Sequence, residues 1–365
     1  MPAAAHSRAV AAPIPPTAPA RTTTSGMTVT SQVQCPNQVG PPLHAALCMS
    51  MVNAALDVQH AACNSEPCSL PHGHQRCTLP GLDTGSGIPI GVAQMSVDRT
   101  DAAANVDRVV EILRAGATAG HRLVVFPECV LTGYLFDSRA DTYAAALNVA
   151  DPRIGRVVDA CRANSIHAVV GLLEETDGVV HNSALVIGPS GIIGRYRKQH
   201  LPYLGADRFV EQGDGTEPRV VDTPFGRVGV MICFDLRFPE SARELALQGA
   251  DVIAMPTNWP AGSDFLADHV TRVRALENLT YLAVADRPDS EAGTPFIGRS
   301  QIIAPSGAVL VDAGQEEGLF GAEIDVRDAR TKRLIIEPGR FELPVFSGRR
   351  PEMYGEITRP VPPGR

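Results

Sequence analysis

GRVGVMICFDLRFPESARELALQGADVIAMPTNWP runs from Gly226 to Pro260. Its first apolar run, Val228 to Ile232, is short and β-branched, the pattern of a buried strand. The run stops at Cys233. Pro239 and Glu240 then open an amphipathic helix with Ala242, Leu245 and Ala246 on one side, and Gly249 closes it. A second apolar run, Asp251 to Met255, predicts another buried strand. Cys233 is thus placed at a strand end, before a sharp turn into a helix. That geometry presents a nucleophile at the sheet edge, with free backbone N–H groups beside it.

A thiol is a weak nucleophile until it loses its proton, and a free one has a pKa of about 8.5. It needs a base or a cation close by. Two other strand ends offer these. Glu128 follows the run Leu123 to Phe126, just past Pro127, and Lys198 ends the run Ile192 to Lys198. A carboxylate beside a thiol can take its proton and later activate water. An ammonium stabilises the thiolate and the oxyanion of a tetrahedral intermediate. The competing reading is structural: a small core cysteine and two solvated or salt-bridged ends. Cys129 and Cys161 are read that way, as core residues.

The elements around these points alternate. Ile88 to Gln94 predicts a strand and Asp101 to Gly120 a helix. Asp151-Pro152 caps a helix running to about Ser165. His167 to Leu173, Val179 to Ile187 and Ile192 to Lys198 read as strands joined by Asp177-Gly178 and Pro189-Ser190-Gly191 turns. Further on, a helix from about Asp264 to Asn278 precedes strands at Tyr281 to Ala285, Gln301 to Ile303, Val309 to Val311 and Leu319 to Ile324. The pattern is α/β with mixed strand pairing and helices outside. Periodicity does not separate one sheet from two.

Composition narrows the functional classes. The chain has 365 residues, 44% apolar and 20% charged, with a net charge of −8. That charge argues against a nucleic-acid partner. No apolar run approaches the length of a membrane helix. Residues 1–86 are Ala/Pro/Thr-rich at the start and free of acids before Asp57, and read as a disordered extension. Cys63, Cys68, His72, His74 and Cys77 fit no zinc spacing. Residues 87–355 form the predicted folded domain and 356–365 a flexible tail. Single cysteines scattered through the folded part suggest a reducing, cytoplasmic setting.

Four blocks resemble the nitrilase, or carbon–nitrogen hydrolase, superfamily. They are FPECVLTGY (Phe126 to Tyr134), YRKQHLP (Tyr196 to Pro202), GVMICFDLRFPE (Gly229 to Glu240), and RALEN (Arg274 to Asn278) with FIGRSQIIAPSG (Phe296 to Gly307). The resemblance covers roughly Ile88 to Tyr354. It implies a four-layer α-β-β-α sandwich, no metal or organic cofactor, and a homodimer or larger homo-oligomer joined through the helices beside the nucleophile. It assigns Cys233 as the nucleophile, Glu128 as the proton relay and Lys198 as the cation steadying the intermediate. Phe234 N–H is implied as a second oxyanion donor.

The expected substrate is a small amide or carbamoyl compound, cleaved through a thioester to ammonia or amine and an acid. Cys-Phe-Asp stands where true nitrilases show Cys-Trp-Glu, which sets amides ahead of nitriles. Acyl transfer through the same thioester is a further alternative. A non-enzymatic module is disfavoured because all three side chains are present. Many members carry a second glutamate after the lysine; here Asp207 is the nearest acid. Tyr134, expected at the pocket mouth, with Asn258 and Trp259, completes the expected substrate contacts. Arg237 is expected to pair with Glu240 or Asp235, with binding of a substrate carboxylate as the alternative.

Overall fold

The apolar runs become strands covered on both faces. The computed structural model describes residues 87–360; the expected disordered extension, its Cys/His cluster and residues 361–365 lie outside them. The first half contains β1 (Ile88–Gln94), α1 (Ala102–Thr118), β2 (Leu123–Val125), α2 (Arg139–Ala145), β3 (Leu147–Asn148), α3 (Pro152–Asn164), β4 (His167–Thr176), β5 (Val179–Gly188) and β6 (Gly191–Arg197). The second contains β7 (Val220–Thr223), β8 (Gly226–Val230), α4 (Pro239–Leu247), β9 (Val252–Pro256), α5 (Thr271–Asn278) and β10 (Tyr281–Ala285). It continues with β11 (Ser290–Glu291), β12 (Thr294–Pro295), β13 (Gln301–Ile303), β14 (Val309–Asp312) and β15 (Gly318–Ile324).

Two sheets result. The first runs β15-β1-β2-β4-β5-β6, with β3 on β4; the second runs β14-β13-β10-β9-β8-β7. In each, three consecutive strands pair in parallel and the remaining strands of the path pair antiparallel, while β3 lies parallel to β4. β15 returns to the first sheet, with Ile88 opposite Ile324.

Side-chain alternation decides what stacks on what. Leu123 and Val125 of β2 meet Val228, Val230, Val252 and Ala254 between the sheets. Val124, between them, faces outward onto Val109, Leu113 and Val157 of α1 and α3. Ile253 and Met255 likewise face outward, onto Ala242 and Leu245 of α4. The result is the four-layer α-β-β-α sandwich. Each fully buried aliphatic side chain contributes about 1.5–3 kcal/mol, so neither sheet has a face it could leave to water.

Helix starts follow their caps. Asp101 accepts the Ala104 N–H at 2.9 Å and Asp151 the Arg153 N–H at 2.8 Å, with Pro152 next. One expected helix is not regular. Between Asp264 and Asn278 the chain first makes a wide turn over Leu266–Val270, then α5. The Thr271 hydroxyl takes the Ala267 carbonyl at 3.0 Å, and the Thr271 N–H bonds Leu266 O instead. Side-chain competition for the carbonyl four residues back widens the helix there.

Beyond β15 come a short helix, α6 (Val326–Arg330), and a hairpin, β16 (Leu334–Glu337) with β17 (Phe341–Leu343). Gly355–Thr358 forms a single 3₁₀ turn. Among the described residues no helix is long and apolar enough to cross a membrane.

One glycine sets how β4 meets the segment after β2. A Cβ on Gly171 would stand 2.5 Å from Cys129 N, 2.6 Å from Pro127 O and 2.9 Å from Glu128 Cα. All three are backbone atoms, so the clash cannot be relieved by a rotamer change. Gly171→Ala should destabilise the protein by about 1–3 kcal/mol, the usual range for overpacking. Thermal melting checks this, and an unchanged melting temperature would mean that the 127–129 backbone yields freely.

Candidate active site

β2 ends at Val125, and Phe126-Pro127 carry the chain to Glu128 at the edge of the first sheet. The Glu128 N–H reaches Thr257 O, just past β9 of the second sheet, at 3.4 Å. Glu128 is fully buried. Its Oε1 accepts from Asn182 Nδ2 and Lys198 Nζ, each at 2.7 Å. Its Oε2 has no partner among the described residues, which leaves that oxygen available for proton transfer.

Lys198 was expected to end a strand; it is the first residue beyond β6. Its N–H still bonds Asn182 O at 2.8 Å, which keeps it in line with the sheet. Its ammonium is fully buried and lies 2.6 Å from Asp207 Oδ2 as well as against Glu128. Asp207 sits on a 3₁₀ turn, Gly205–Arg208. Thus the acid nearest after the lysine does reach it.

Tyr134, expected at the pocket mouth, is instead buried behind this cluster. Its hydroxyl donates to Asp207 Oδ2 at 2.9 Å. The physical reason is the tight turn after Thr132, where Gly133 has φ +80°. The Tyr134 and Leu135 N–H groups are then held by Glu291 Oε1 at 2.9 and 2.7 Å.

Cys233 opens the 3₁₀ turn Cys233–Arg237, directly after the second sheet's β8 and its extension. It has φ +46°, a left-handed conformation rare for a residue with a Cβ, and as a residue it is partly exposed. Backbone of this kind costs on the order of 1–3 kcal/mol and is sustained by its surroundings. The Thr257 hydroxyl and the Asn258 N–H lie close enough to the sulfur to act on its thiol. The first N–H groups of the turn, on Cys233 and Phe234, have no carbonyl within the turn to bond.

The charges in this cluster act on one another. Burial pushes the Glu128 carboxyl above the usual range, and Lys198 only partly offsets that. Burial alone would lower Lys198; Asp207 and Glu128 outweigh it and hold the ammonium well above an ordinary lysine. Burial, then Glu128, raises the Cys233 thiol, while Lys198, Thr257 and the Asn258 N–H pull it down without reversing the shift. The arrangement therefore sets a thiol raised by burial beside a carboxylate with an enhanced proton affinity. Such a pair moves the proton as the sulfur attacks.

The remaining expected residues divide. Asn258 is buried and donates from Nδ2 to Glu128 O at 2.9 Å, so it braces the acid. Trp259 is buried among Met231, Leu236 and Met255. Phe234 packs edge-on against Phe238. Arg237 is exposed and makes no ion pair among the described residues, contrary to the pairing expected for it. The Asp235 carboxylate is already bound by Tyr196, His200 and Ile232.

Sequence reasoning missed Asn182 and Thr257. Asn182 Nδ2 joins Glu128 to Asp207, reaching the latter's Oδ1 at 2.9 Å. Its only signal was a polar His181-Asn182-Ser183 step inside an apolar strand. Asp286 is fully buried and accepts from Trp259 N at 3.1 Å. Burial raises its carboxyl well above the usual range.

With this geometry in view, comparisons with known proteins are informative. Residues 89–333 match the carbon-nitrogen hydrolase family model. A nitrilase of Pyrococcus abyssi is 39% identical over 269 residues, 73% of this chain and 99% of that protein. The omega-amidase NIT2 of Homo sapiens is 31% identical over 271 residues, 70% of this chain and 93% of that protein. Among solved structures, a carbon-nitrogen hydrolase from Helicobacter pylori G27 superposes with a TM-score of 0.66 at 22% identity, covering 75% of this chain and 99% of that one. An amidase from Nesterenkonia sp. gives 0.62 at 22% identity, covering 75% and 97%.

Three free thiols lie among the described residues, and only Cys233 is partly exposed. Iodoacetamide should therefore label Cys233 and leave Cys129 and Cys161 unmodified in the folded protein. Because its thiol is raised, the labelling rate should still be climbing with pH in the alkaline range. Peptide mapping across a pH series checks both points, and a plateau below pH 7 would contradict the charge balance described above.

Proposed function

The chain belongs to the carbon–nitrogen hydrolase family, and on that premise we propose that it hydrolyses a small, uncharged amide or carbamoyl group through a thioester on Cys233. The observation that carries the reading is the buried Lys198 ammonium, held at 2.7 Å by Glu128 and 2.6 Å by Asp207 at the strand end that faces the nucleophile turn. Two carboxylates and one ammonium leave this cluster with a formal surplus of negative charge. A neutral amide carbon is accepted beside it more readily than a carboxylate.

Glu128 takes the Cys233 proton as the sulfur attacks the amide carbon. The carbonyl oxygen becomes an oxyanion, met by the Lys198 ammonium and the Phe234 N–H. Collapse breaks the C–N bond, Glu128 returns its proton to the leaving nitrogen, and ammonia or an amine departs. Water, deprotonated by Glu128, attacks the thioester, and a second collapse frees the acid and restores the thiol. One water is consumed for each amide cleaved. Asp207 keeps the lysine charged and aimed throughout.

The Cys-Phe-Asp sequence at 233–235 supports an amide. A nitrile is the second reading, supported by the name of the Pyrococcus abyssi relative; it shares the attack and consumes two waters on the way to the acid. Leu247, Phe265, Val273 and Leu276 expose apolar surface on and beside α4 and α5, which supports a homo-oligomer packed through these helices. Free thiols at Cys129, Cys161 and Cys233 support a reducing, cytoplasmic setting.

Cys233→Ala should abolish ammonia release from a panel of amides, carbamoyl compounds and nitriles while leaving the melting temperature near that of the parent. Turnover equal to the parent in that variant would end the reading. Glu128→Gln should lower kcat by about 10²–10⁴-fold, the usual worth of a positioned acid–base group. In the parent, kcat/KM should rise with pH through an apparent pKa above the ordinary carboxylate range. The sign follows because the base must be ionised and burial has raised it. An acidic limb at or below the ordinary carboxylate value would contradict the role of Glu128.

A further inference from the structure

The ammonium and the sulfur come from different sheets. Lys198 follows β6 of the first, and Cys233 follows β8 of the second. One side chain clasps both segments. Asp235, two residues after Cys233, is fully buried. Its Oδ2 accepts from Ile232 N at 2.9 Å and from the Tyr196 hydroxyl at 2.7 Å. Its Oδ1 accepts from His200 N at 3.2 Å and faces His200 Nδ1 at 2.6 Å. Tyr196 and His200 stand two residues before and two residues after Lys198. Ile232 stands immediately before Cys233.

We infer that Asp235 is a positioning residue that sets the Lys198 ammonium against the Cys233 sulfur, by bracketing the lysine from both sides and closing the turn that holds the cysteine in its left-handed conformation. The inference rests on the reading of Cys233 and Lys198 as the thiol and the cation of the reaction.

The chemistry of the group fits this task and no near neighbour does. Four donors converge on Asp235, and an ionised carboxylate is acceptor-only, with room for all of them. Hydrogen bonds to an ionised acceptor are roughly twice as strong as neutral ones. An asparagine of the same shape has one acceptor oxygen. Its NH₂ must face either the Ile232 N–H or the His200 N–H, and a backbone donor cannot turn round to accept. The isosteric change therefore opens one side of the clasp. His200 adds rigidity, because its ring is stacked on Phe238 at 3.7 Å between centroids with planes 12° apart.

The clasp differs from general core packing in one measurable respect. If it acts through Lys198, its loss matters only while the ammonium is there to be placed. The experiment is a double-mutant cycle on the full-length protein. The rate of Cys233 alkylation by iodoacetamide and its pH profile are recorded for the parent, Asp235→Asn, Lys198→Met and the pair together. Asp235→Asn should slow alkylation at pH 8 by roughly tenfold, the equivalent of about one unit in the thiol pKa. Its profile should move towards that of Lys198→Met. Added to Lys198→Met it should change nothing further.

Steady-state amide hydrolysis by Asp235→Asn should show kcat reduced and KM little changed, since the substrate is not what the clasp holds. Tyr196→Phe removes one donor and no charge. It should give the same split to a smaller degree, and it stands in if a variant of Asp235 or Lys198 fails to fold. Equal slowing by Asp235→Asn with and without Lys198 would overturn the inference. So would a lowered melting temperature in either clasp variant with parental kcat and profile. These outcomes are separable from failure of the functional reading, which would show as retained ammonia release in Cys233→Ala.

Discussion

The site is built on a buried ammonium. Removing a charge from water costs several kcal/mol even after relaxation, and the cost is met only by close partners of opposite sign with their remaining lone pairs satisfied. Lys198 has two such partners, and each is itself tied down. Asn182 bonds both carboxylates, and Tyr134 donates to Asp207. Because the two acids share one cation, neither is fully neutralised. Burial, with that residual charge added to it, keeps the proton affinity of Glu128 high and raises the nearby thiol. Stability and reactivity thus come from the same charge balance.

Two stacked sheets make such a cluster possible. The parallel strands of both run to the same edge, the usual location of a site in an open α/β sheet. β2 delivers Glu128 and β8 delivers Cys233. β9 leads to Thr257 and Asn258, and β10 to Asp286. A second buried network stands behind the first. Arg287 is bound by Asp289 at 2.6 Å and by Glu291, while the other Glu291 oxygen holds the N–H groups of Tyr134 and Leu135. Its role is to fix the loop after Glu128, so the acid is set from both ends of its segment. Gly171, with no Cβ, lets β4 lie directly against that segment.

Much of this was legible in the residues. The strands showed as short apolar runs because both faces of each are covered. The helices showed through their caps, Asp101 and Asp151, and through the glycines that end them. Cys233 stood out because an apolar run stops there and a Pro-Glu helix start follows six residues on. The hairpin β16–β17 was not legible, since its side chains are largely exposed and alternate weakly. Nor was the wide turn at Leu266–Val270, which depends on one threonine hydroxyl choosing a carbonyl.

By itself the sequence determined the element types, the mixed α/β class and, through four motif blocks, the family and the three residues proposed to carry its chemistry. These follow from local physics: hydrophobic periodicity, capping and turn preferences act over a few residues and leave their mark in order along the chain. Periodicity did not separate one sheet from two, though the motif resemblance implied two; only the tertiary structure decided that Asn182 and Asp207 complete the cluster around Lys198, that Tyr134 lies behind it, and that Asp235 bonds both of its halves. Those partners lie 25 residues apart in Asn182 and Asp207, and 39 in Tyr196 and Asp235. A hydrogen bond across such a distance is chosen by how whole layers pack, and no neighbour in sequence records the choice.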